Sequence, residues 1–286
     1  MSDARKIKRI LTRQPTMEGA GVHLNRVFGY HEAPTFDPFL MLDHFSSDNP
    51  DDYIAGFPDH PHRGFITFTY MLDGHMEHRD SMGNRGDLRA GGVQWMRAGS
   101  GVIHSEMPSQ TNGLMRGFQL WINLPAAEKM SSPAYQEFDA QMIPQICVGD
   151  ALVKVLSGHF SECEGPVKDD HTEMLYLDVE LPASSRFDLP LQEGMTGFLY
   201  PFEGTVVVEG VVLPTHNLGV LGSGDRLEAN TTDEAARFIL VAGRPLNEPI
   251  LQHGPFVMSS REEIEHALRD YRDGILVRER AGGLAV

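Results

Sequence analysis

Cysteine is scarce in this sequence. Of 286 residues, only Cys147 and Cys163 are cysteines, and they form no Cys-x-x-Cys pair. Two isolated cysteines do not make a disulfide framework, so free thiols in a reducing compartment are expected.

Long apolar runs are also missing. No stretch approaches 18 apolar residues, and the N-terminal segment MSDARKIKRILTR is charged and has no apolar signal core. Neither a membrane span nor a secretory signal is therefore expected. Together with the free thiols, these absences predict a cytoplasmic protein.

Basic residues are in deficit. The 24 lysines and arginines face 40 aspartates and glutamates, which gives a formal net charge of −16. An acidic chain repels phosphate backbones, so direct nucleic-acid binding is not expected. A generic acidic surface that keeps the protein dispersed explains the charge fully. We expect a monomer and leave a protein partner open.

Helical patterns are scarce, and strand-length apolar segments dominate. They alternate with turns made from 29 glycines and 18 prolines, which is typical of an all-β sandwich or barrel. The segment SSREEIEHALRDYRDGIL is the exception. Ser259 or Ser260 can cap it, apolar residues recur at helical spacing, and Gly274 ends it. One C-terminal helix is therefore predicted at about 259–273.

The sequence contains an internal echo. FTYMLDGH at 68–75 resembles FLYPFEGT at 198–205, and AGSGVIHSE at 98–106 resembles LGSGDRLEA at 221–229. Two matches in the same order suggest a duplicated β-domain, and the chain is long enough for two domains. We predict domains at 1–140 and 141–286.

Two residue pairs share one spacing. FPDHPHRGF places His60 and His62 one residue apart, and GSGVIHSEMP repeats the spacing with His104 and Glu106. In a strand, residues i and i+2 point to the same face, and Pro61 favours extension of the residue before it. On neighbouring strands the pairs would place three imidazoles and one carboxylate around one point, a set that suits a first-row metal. The alternative is a group of unrelated surface or core side chains.

The second repeat lacks these ligands. At the offsets of the echo, the four positions hold residues that are neither histidine nor acid, namely Pro190, Gln192, Leu227 and Ala229. We therefore expect one metal ion per chain, in the N-terminal domain. The C-terminal domain would serve as a support, a partner surface or a lid.

Three further polar residues lie near these motifs. His75 and His78 fall in GHMEHRDSMGN, a hairpin with a Gly-Asn turn, and we interpret both as solvated turn histidines. Arg63 follows the first histidine pair. It is either a surface arginine or the partner of an acid, and both alternatives stay open.

Several apolar residues are candidates for a pocket at the mouth of the predicted β-domain. Asp43, Phe45 and Phe57 flank this mouth in the prediction. Phe57, Phe65 and Trp95 could line an apolar pocket, and a core position is the alternative for each of them.

Four segments together resemble the pirin family, a branch of the bicupins: GFPDHPHRGF, GDLRAGGVQWMRAGSGVIHSEMP, FQLWINL and QHGPFVM. The resemblance covers roughly residues 6–275. It implies an all-β fold of two cupin-type antiparallel β-barrels with a short C-terminal helix. It also implies one Fe2+ per chain in the N-terminal barrel, with other first-row divalent metals as alternatives. It assigns the ligand roles to His60, His62, His104 and Glu106, the residues that spacing alone brings together.

One position departs from the family pattern. Many pirins continue HPHRGF with Glu, whereas this chain has Ile66 followed by Thr67. Ile66 supplies neither a charge nor a proton relay, so the carboxylate ligand must be Glu106.

The resemblance implies quercetin 2,3-dioxygenase-like activity on flavonols or similar aromatic enols, with O2 as co-substrate and release of carbon monoxide. Glu106 is then both a ligand and the catalytic proton acceptor. The alternative is an iron-dependent, redox-sensing module that binds a protein partner, as a transcription cofactor does, without turnover. Isomerase-type sugar chemistry is a third hypothesis, which a four-ligand redox site disfavours.

Overall fold

The computed structural model describes residues 3–278, which form two compact units. The first unit comprises Pro15–Thr35, Phe39–Ala140 and residues 246–278. The second unit comprises the remaining described residues, most of them in Gln141–Pro245. Each unit therefore takes chain from both sides of residue 140, and the boundary at that residue stays a prediction.

The first unit is built from two antiparallel sheets, a C-terminal hairpin and a helix. In spatial order, the seven-stranded sheet comprises Ala134–Phe138, Val93–Arg97, Phe65–Asp73, Met115–Asn123, Phe39–Ser47, Val22–Phe28 and Gln14–Glu18. The four-stranded sheet comprises Phe57–His62, Val102–Pro108, His75–Asp80 and Arg85–Arg89. The hairpin pairs Leu251–His253 with Phe256–Met258, and the helix spans Arg261–Arg272.

The second unit has the same two sheets. Its seven-stranded sheet comprises, in order, Ile7–Thr12, Asn217–Leu221, Thr196–Glu203, Ala236–Gly243, Leu175–Leu181, Ala151–Ser157 and Gln145–Val148. Its four-stranded sheet comprises Arg186–Pro190, Arg226–Asn230, Val206–Val208 and Val211–Leu213. A small hairpin pairs His159–Phe160 with Cys163–Glu164. Short helical turns elsewhere in the chain lie at Ala33–Phe36, Pro50–Asp52, Ala126–Glu128 and Ala140–Met142.

The matching strand orders confirm the duplication that the sequence echo indicates. The echo segments at 68–75 and 198–205 begin within the third strand of each seven-stranded sheet, and each Gly-Ser-Gly turn follows the second strand. The all-β prediction is confirmed. The barrels are not closed by hydrogen bonds, because each unit divides its strands between two separate sheets.

One edge strand of the second unit comes from the other end of the sequence. Ile7–Thr12 pairs with Asn217–Leu221 and completes the seven-stranded sheet. Arg5, just before this strand, donates hydrogen bonds to the carbonyls of Gln192, Met195 and Gly224. In the first unit the equivalent edge position is taken by Ala134–Phe138.

The interior of the second unit is apolar where the first unit is polar. Leu227 and Ala229, which the echo aligns with two predicted ligands, are fully buried in a cluster that includes Phe187 and Leu189. Alternate residues of Arg186–Pro190 point into this cluster. Leucine and phenylalanine side chains therefore fill this part of the unit with groups that bind no cation.

The C-terminal helix is confirmed, and its cap is Ser260. The hydroxyl of Ser260 accepts a hydrogen bond from the Glu263 backbone N–H at 3.3 Å, and the Glu263 carboxylate accepts one from the Ser259 N–H at 3.0 Å. This reciprocal arrangement resembles a capping box. No helix among residues 3–278 is long and apolar enough to cross a membrane.

Candidate metal centre

The central strand of the four-stranded sheet brings the histidines together. Val102–Pro108 pairs antiparallel with Phe57–His62, so that His104 lies opposite His60. Because alternate residues share a face, His62 joins them on the same side. Ligand atoms of the three imidazoles all lie within 4.8 Å of one another.

The hydrogen bonds of His60 and His62 determine which ring nitrogens are bare. Nδ1 of His60 lies 2.9 Å from the carbonyl oxygen of Pro58, and Nδ1 of His62 lies 3.4 Å from that of Pro255. A carbonyl only accepts, so both Nδ1 atoms carry the hydrogen. In the neutral rings the two Nε2 lone pairs then face each other at 3.1 Å.

Such a pair of lone pairs fits a cation. An ion about 2.1 Å from two nitrogens, at a right angle, separates them by about 3.0 Å. Nε2 of His104 is also buried and, among residues 3–278, has no hydrogen-bond partner. An unpartnered buried polar atom is unfavourable, and binding to a metal ion would satisfy it.

Burial keeps two of the rings neutral. Desolvation lowers the pKa of His62 well below its usual 6.5, and the nearby His60 ring lowers it further. Desolvation likewise lowers the pKa of His104, with additional contributions from His62, His60 and His78. Neutral imidazole is the form that binds metals, so both rings are ready to bind at neutral pH without losing a proton.

Glu106 places a carboxylate next to this cluster. It is 2% exposed and, within residues 3–278, makes no ion pair. The Gln119 side-chain amide donates to both of its oxygens, at 3.0 and 3.3 Å, and the Thr69 hydroxyl lies 3.4 Å from Oε1. A buried carboxylate that is held only by neutral donors lies in a position that favours a nearby cation.

The four predicted ligands fall into two overlapping clusters. His60, His62 and His104 form one, and Glu106 forms the other with His104 and His78. His104 therefore belongs to both clusters and links the carboxylate to the other imidazoles. The assignment of all four to one ion stays a prediction.

The interpretation of His78 as a solvated turn residue is wrong. His78 is 0% exposed, and its ring stacks on Tyr135 with centroids 4.6 Å apart. The hairpin is present, but Met76, His78 and Asp80 alternate toward the interior while Glu77 and Arg79 face outward. This period-2 alternation in HMEHRD is the signal that identifies a buried histidine.

Arg63 is buried rather than on the surface. Its side chain is 1% exposed and pairs with Asp270 of the C-terminal helix at 2.9 Å. It also donates hydrogen bonds to the carbonyls of Ser100 and Leu276. Arg63 therefore connects the end of the histidine strand to the C-terminal segment whose Pro255 carbonyl orients His62.

Ile66 lies away from the cavity. It is fully buried, and the residue of this strand that lines the cavity is Thr69. Residues 66 and 69 lie on opposite faces because side chains alternate along a strand. Thr69 and Gln119 hold Glu106 in place, and the absence of an acid at residue 66 leaves that arrangement intact.

A cavity of about 610 Å³ opens onto the histidines. Its apolar wall includes Leu24, Met41, Met76 and Trp121. Three residues predicted near the mouth, Asp43, Phe45 and Phe57, line it, whereas Phe65 and Trp95 are core residues outside the lining.

The polar part of the cavity wall is mainly acidic. Four of its residues are carboxylic acids, namely Glu18, Asp43, Asp59 and Glu106. Arg26 is the lining arginine, and its guanidinium binds Asp43 at 2.8 and 2.9 Å and Glu18 at 2.9 Å. An anionic ligand would therefore meet carboxylates and an arginine that is already paired.

The buried histidines predict a pH-dependent stability of the metal-free protein. Because the folded-state pKa values of His62 and His104 are lowered, the unfolded chain takes up protons below about pH 6.5 and the folded chain does not. The free energy of unfolding should therefore fall with pH below that value, by up to about 1.4 kcal/mol per pH unit for each ring. Urea unfolding between pH 5 and 8 measures this. A His62→Gln, His104→Gln double variant should show a shallower decline, and equal slopes would contradict the prediction.

Comparisons with known proteins place the chain in a family. The pirin family profile matches residues 21–122, and the profile of the pirin C-terminal cupin domain matches residues 176–277. A pirin-like protein of Caulobacter vibrioides is 48% identical over 272 residues, which cover 94% of this chain and 98% of that protein.

Solved structures show the same fold. A quercetin 2,3-dioxygenase from Acinetobacter baumannii is 32% identical and superposes with a TM-score of 0.89, over 99% of this chain and 100% of that one. A pirin from Escherichia coli, solved in complex with nickel(II), is 21% identical with a TM-score of 0.63, over 83% of this chain and 98% of that one. The matched profiles and the identity to relatives over nearly the whole chain show that this protein belongs to the pirin family.

Proposed function

We propose that this protein is a metal-dependent oxygenase of the quercetin 2,3-dioxygenase type. One Fe2+ per chain would be held by His60, His62, His104 and Glu106. The observation that carries the proposal is the imidazole cluster with bare Nε2 atoms, in which His62 and His104 are buried, and which lies beside the buried Glu106 carboxylate and faces a largely apolar cavity. When bound, the ion supplies Lewis acidity and redox chemistry with O2.

The cavity suits a flat, uncharged aromatic substrate. Its volume of about 610 Å³ lies within the usual range for small-molecule sites. Trp121 and Phe45 offer aromatic surface, and Met41 and Met76 offer adaptable apolar surface. The carboxylates around the paired Arg26 disfavour anionic substrates.

In this proposal Glu106 accepts the substrate proton. It lies in the cavity wall, and the amide of Gln119 holds its two oxygens. A flavonol hydroxyl directed at the histidine cluster comes within reach of this carboxylate. Loss of the hydroxyl proton makes the enol ring electron-rich, which prepares it for reaction with O2.

The relatives support the proposal in two respects. The Acinetobacter baumannii protein, similar over the full length, is a quercetin 2,3-dioxygenase. The Escherichia coli pirin binds nickel(II), which supports other first-row divalent metals as alternatives to iron.

The test is quercetin turnover by metal-free and iron-loaded protein under air. Loss of flavonol absorbance, O2 uptake and carbon monoxide release in the iron-loaded sample alone would support the proposal. Full iron loading without turnover would overturn it. The regulatory alternative would then be examined as partner affinity that differs between Fe2+ and Fe3+.

Trp121 tests whether the cavity is the flavonol site. Trp121 lines the cavity and Trp95 does not, and these are the two tryptophans of the chain. We expect Trp121→Leu to weaken quercetin binding by roughly 5-fold, since an aromatic contact contributes about 1 kcal/mol. Trp95→Leu is the matched control and should leave the dissociation constant unchanged. Equilibrium dialysis measures both, and equal affinities in the two variants would place the flavonol elsewhere.

A further inference from the structure

A row of buried polar groups lies behind His104, on the side away from His60. The strand His75–Asp80 pairs with Val102–Pro108, with Asp80 opposite His104 and His78 opposite Glu106. His78 and the Asp80 side chain are both fully buried. The pairing of the His60 and His104 strands brings the three imidazoles together without these residues, so their role has to be sought elsewhere.

The direction of the hydrogen bonds in this row follows from Asp80. Its carboxylate accepts from the backbone N–H of Met82 and from the backbone and side chain of Asn84, at 2.8 to 3.0 Å. Nε2 of His78 lies 3.3 Å from the same carboxylate. A carboxylate only accepts, so Nε2 of His78 carries the hydrogen, and Nδ1 of the neutral ring is an acceptor.

The contact between His78 and His104 determines which nitrogen of His104 carries the hydrogen. Nδ1 of His78 lies 3.5 Å from Nδ1 of His104. Since the first atom is an acceptor, the second must carry the hydrogen, and Nε2 of His104 is left bare. In the part of the chain that the structure describes, Nε2 is the atom of His104 that is buried without a partner.

The orientation of the His78 ring is fixed by stacking. Its plane lies 24° from that of Tyr135, with centroids 4.6 Å apart. The Tyr135 hydroxyl donates to Glu137 at 2.6 Å and accepts from Gln94 at 3.0 Å. Stacking on Tyr135 therefore holds the His78 ring in place between the carboxylate of Asp80 and the imidazole of His104.

We propose that His78 is a positioning residue. Anchored by Asp80, it sets the tautomer of His104 so that Nε2 is presented to the metal ion. This inference rests on the proposed metal site but not on any oxygenase activity. Removal of the hydrogen-bond partner of a metal-binding histidine typically lowers metal affinity by roughly 10- to 100-fold.

The first test concerns the metal-free protein. Imidazole 15N spectra of the full chain should show His104 protonated at Nδ1 and bare at Nε2. His78→Phe keeps a ring against Tyr135 but removes the acceptor, and it should give a mixture of His104 tautomers. His75→Gln is the matched control, because His75 lies on the same strand, is partly exposed and pairs with Asp87 on the surface. Its spectrum should match that of the original protein.

The second test is Co(II) binding by chelator competition, with the visible absorption spectrum of the bound ion. We expect His78→Phe to bind Co(II) roughly 10- to 100-fold more weakly with the same ligand-field bands. His78→Gln offers an oxygen acceptor and should recover part of the loss, and His75→Gln should change nothing. A changed coordination number in His78→Phe would make His78 a ligand and overturn the proposal. An unchanged His104 tautomer together with unchanged affinity would also overturn it.

Discussion

Glu106→Gln is expected to reduce flavonol oxidation by roughly 100- to 10,000-fold while iron retention falls only modestly. The substitution keeps the size of the side chain and one oxygen for the Gln119 amide. It removes the negative charge, and with it the base nearest to a substrate hydroxyl. A dication also loses the one anionic member of the predicted ligand set. Steady-state quercetin turnover with iron in excess measures the effect.

Two comparisons make this result interpretable. Glu77→Gln, on the neighbouring strand with its side chain facing outward, should retain the original turnover. His104→Ala should lose mainly metal, because it removes an imidazole and no base. If iron-saturated Glu106→Gln turned over quercetin at the original rate, Glu106 would be a replaceable ligand and no proton acceptor.

Asp270→Ala is expected to lower the free energy of unfolding by about 3 kcal/mol. Asp270 pairs with Arg63, and both side chains are almost fully buried. Desolvation lowers the pKa of Arg63, whereas the hydrogen bond and charge of Asp270 raise it. Without Asp270, a buried guanidinium would keep only the carbonyls of Ser100 and Leu276 among these partners, and urea unfolding should show the loss.

The same substitution should also weaken metal binding, since Arg63 directly follows His62. Glu265→Ala is the matched control: its exposed pair with Arg261 lies on the same helix and should contribute less than about 0.5 kcal/mol. An Arg63→Met, Asp270→Leu double variant should recover much of the stability, because it leaves no unpaired buried charge. Equal losses in Asp270→Ala and Glu265→Ala would contradict the argument.

The sequence predicts the fold class from short-range patterns, and it predicts the three-imidazole cluster from the repeated i, i+2 spacing together with the assumption that the two strands are neighbours, which their pairing bears out. Strand alternation alone places His60 beside His62, and the echo predicts two units of one topology. The apolar cluster at Leu227 and Ala229 fits the expectation that the second unit holds no ion. The helix is predicted to within two residues at its start because Ser260 and Glu263 are local signals.

Features that depend on long-range packing could not be predicted in this way. Arg63 and Asp270 are 207 residues apart, and neither lies in a motif that indicates its partner. The error over His78 has a different cause. The Gly-Asn turn suggests exposure, but the alternation of Glu77 and Arg79 with Met76 and His78 indicates that His78 is on the buried face. Burial of a hairpin face depends on the neighbouring strand, which the hairpin sequence does not specify.

Each unit contains a segment from the far end of the chain, namely residues 246–278 in the first unit and the N-terminal residues up to Gln14 in the second. Neither unit can therefore be completed until most of the chain has been synthesised. The first-unit site includes the Pro255 carbonyl, which orients His62 from 193 residues further along the chain. The strand Ile7–Thr12 likewise has its partner at Asn217–Leu221. At roughly 5 to 20 residues per second, a ribosome needs on the order of 10 to 40 s to pass from His62 to Pro255. The nascent chain therefore carries the three imidazoles well before the carbonyl that orients His62 has been synthesised.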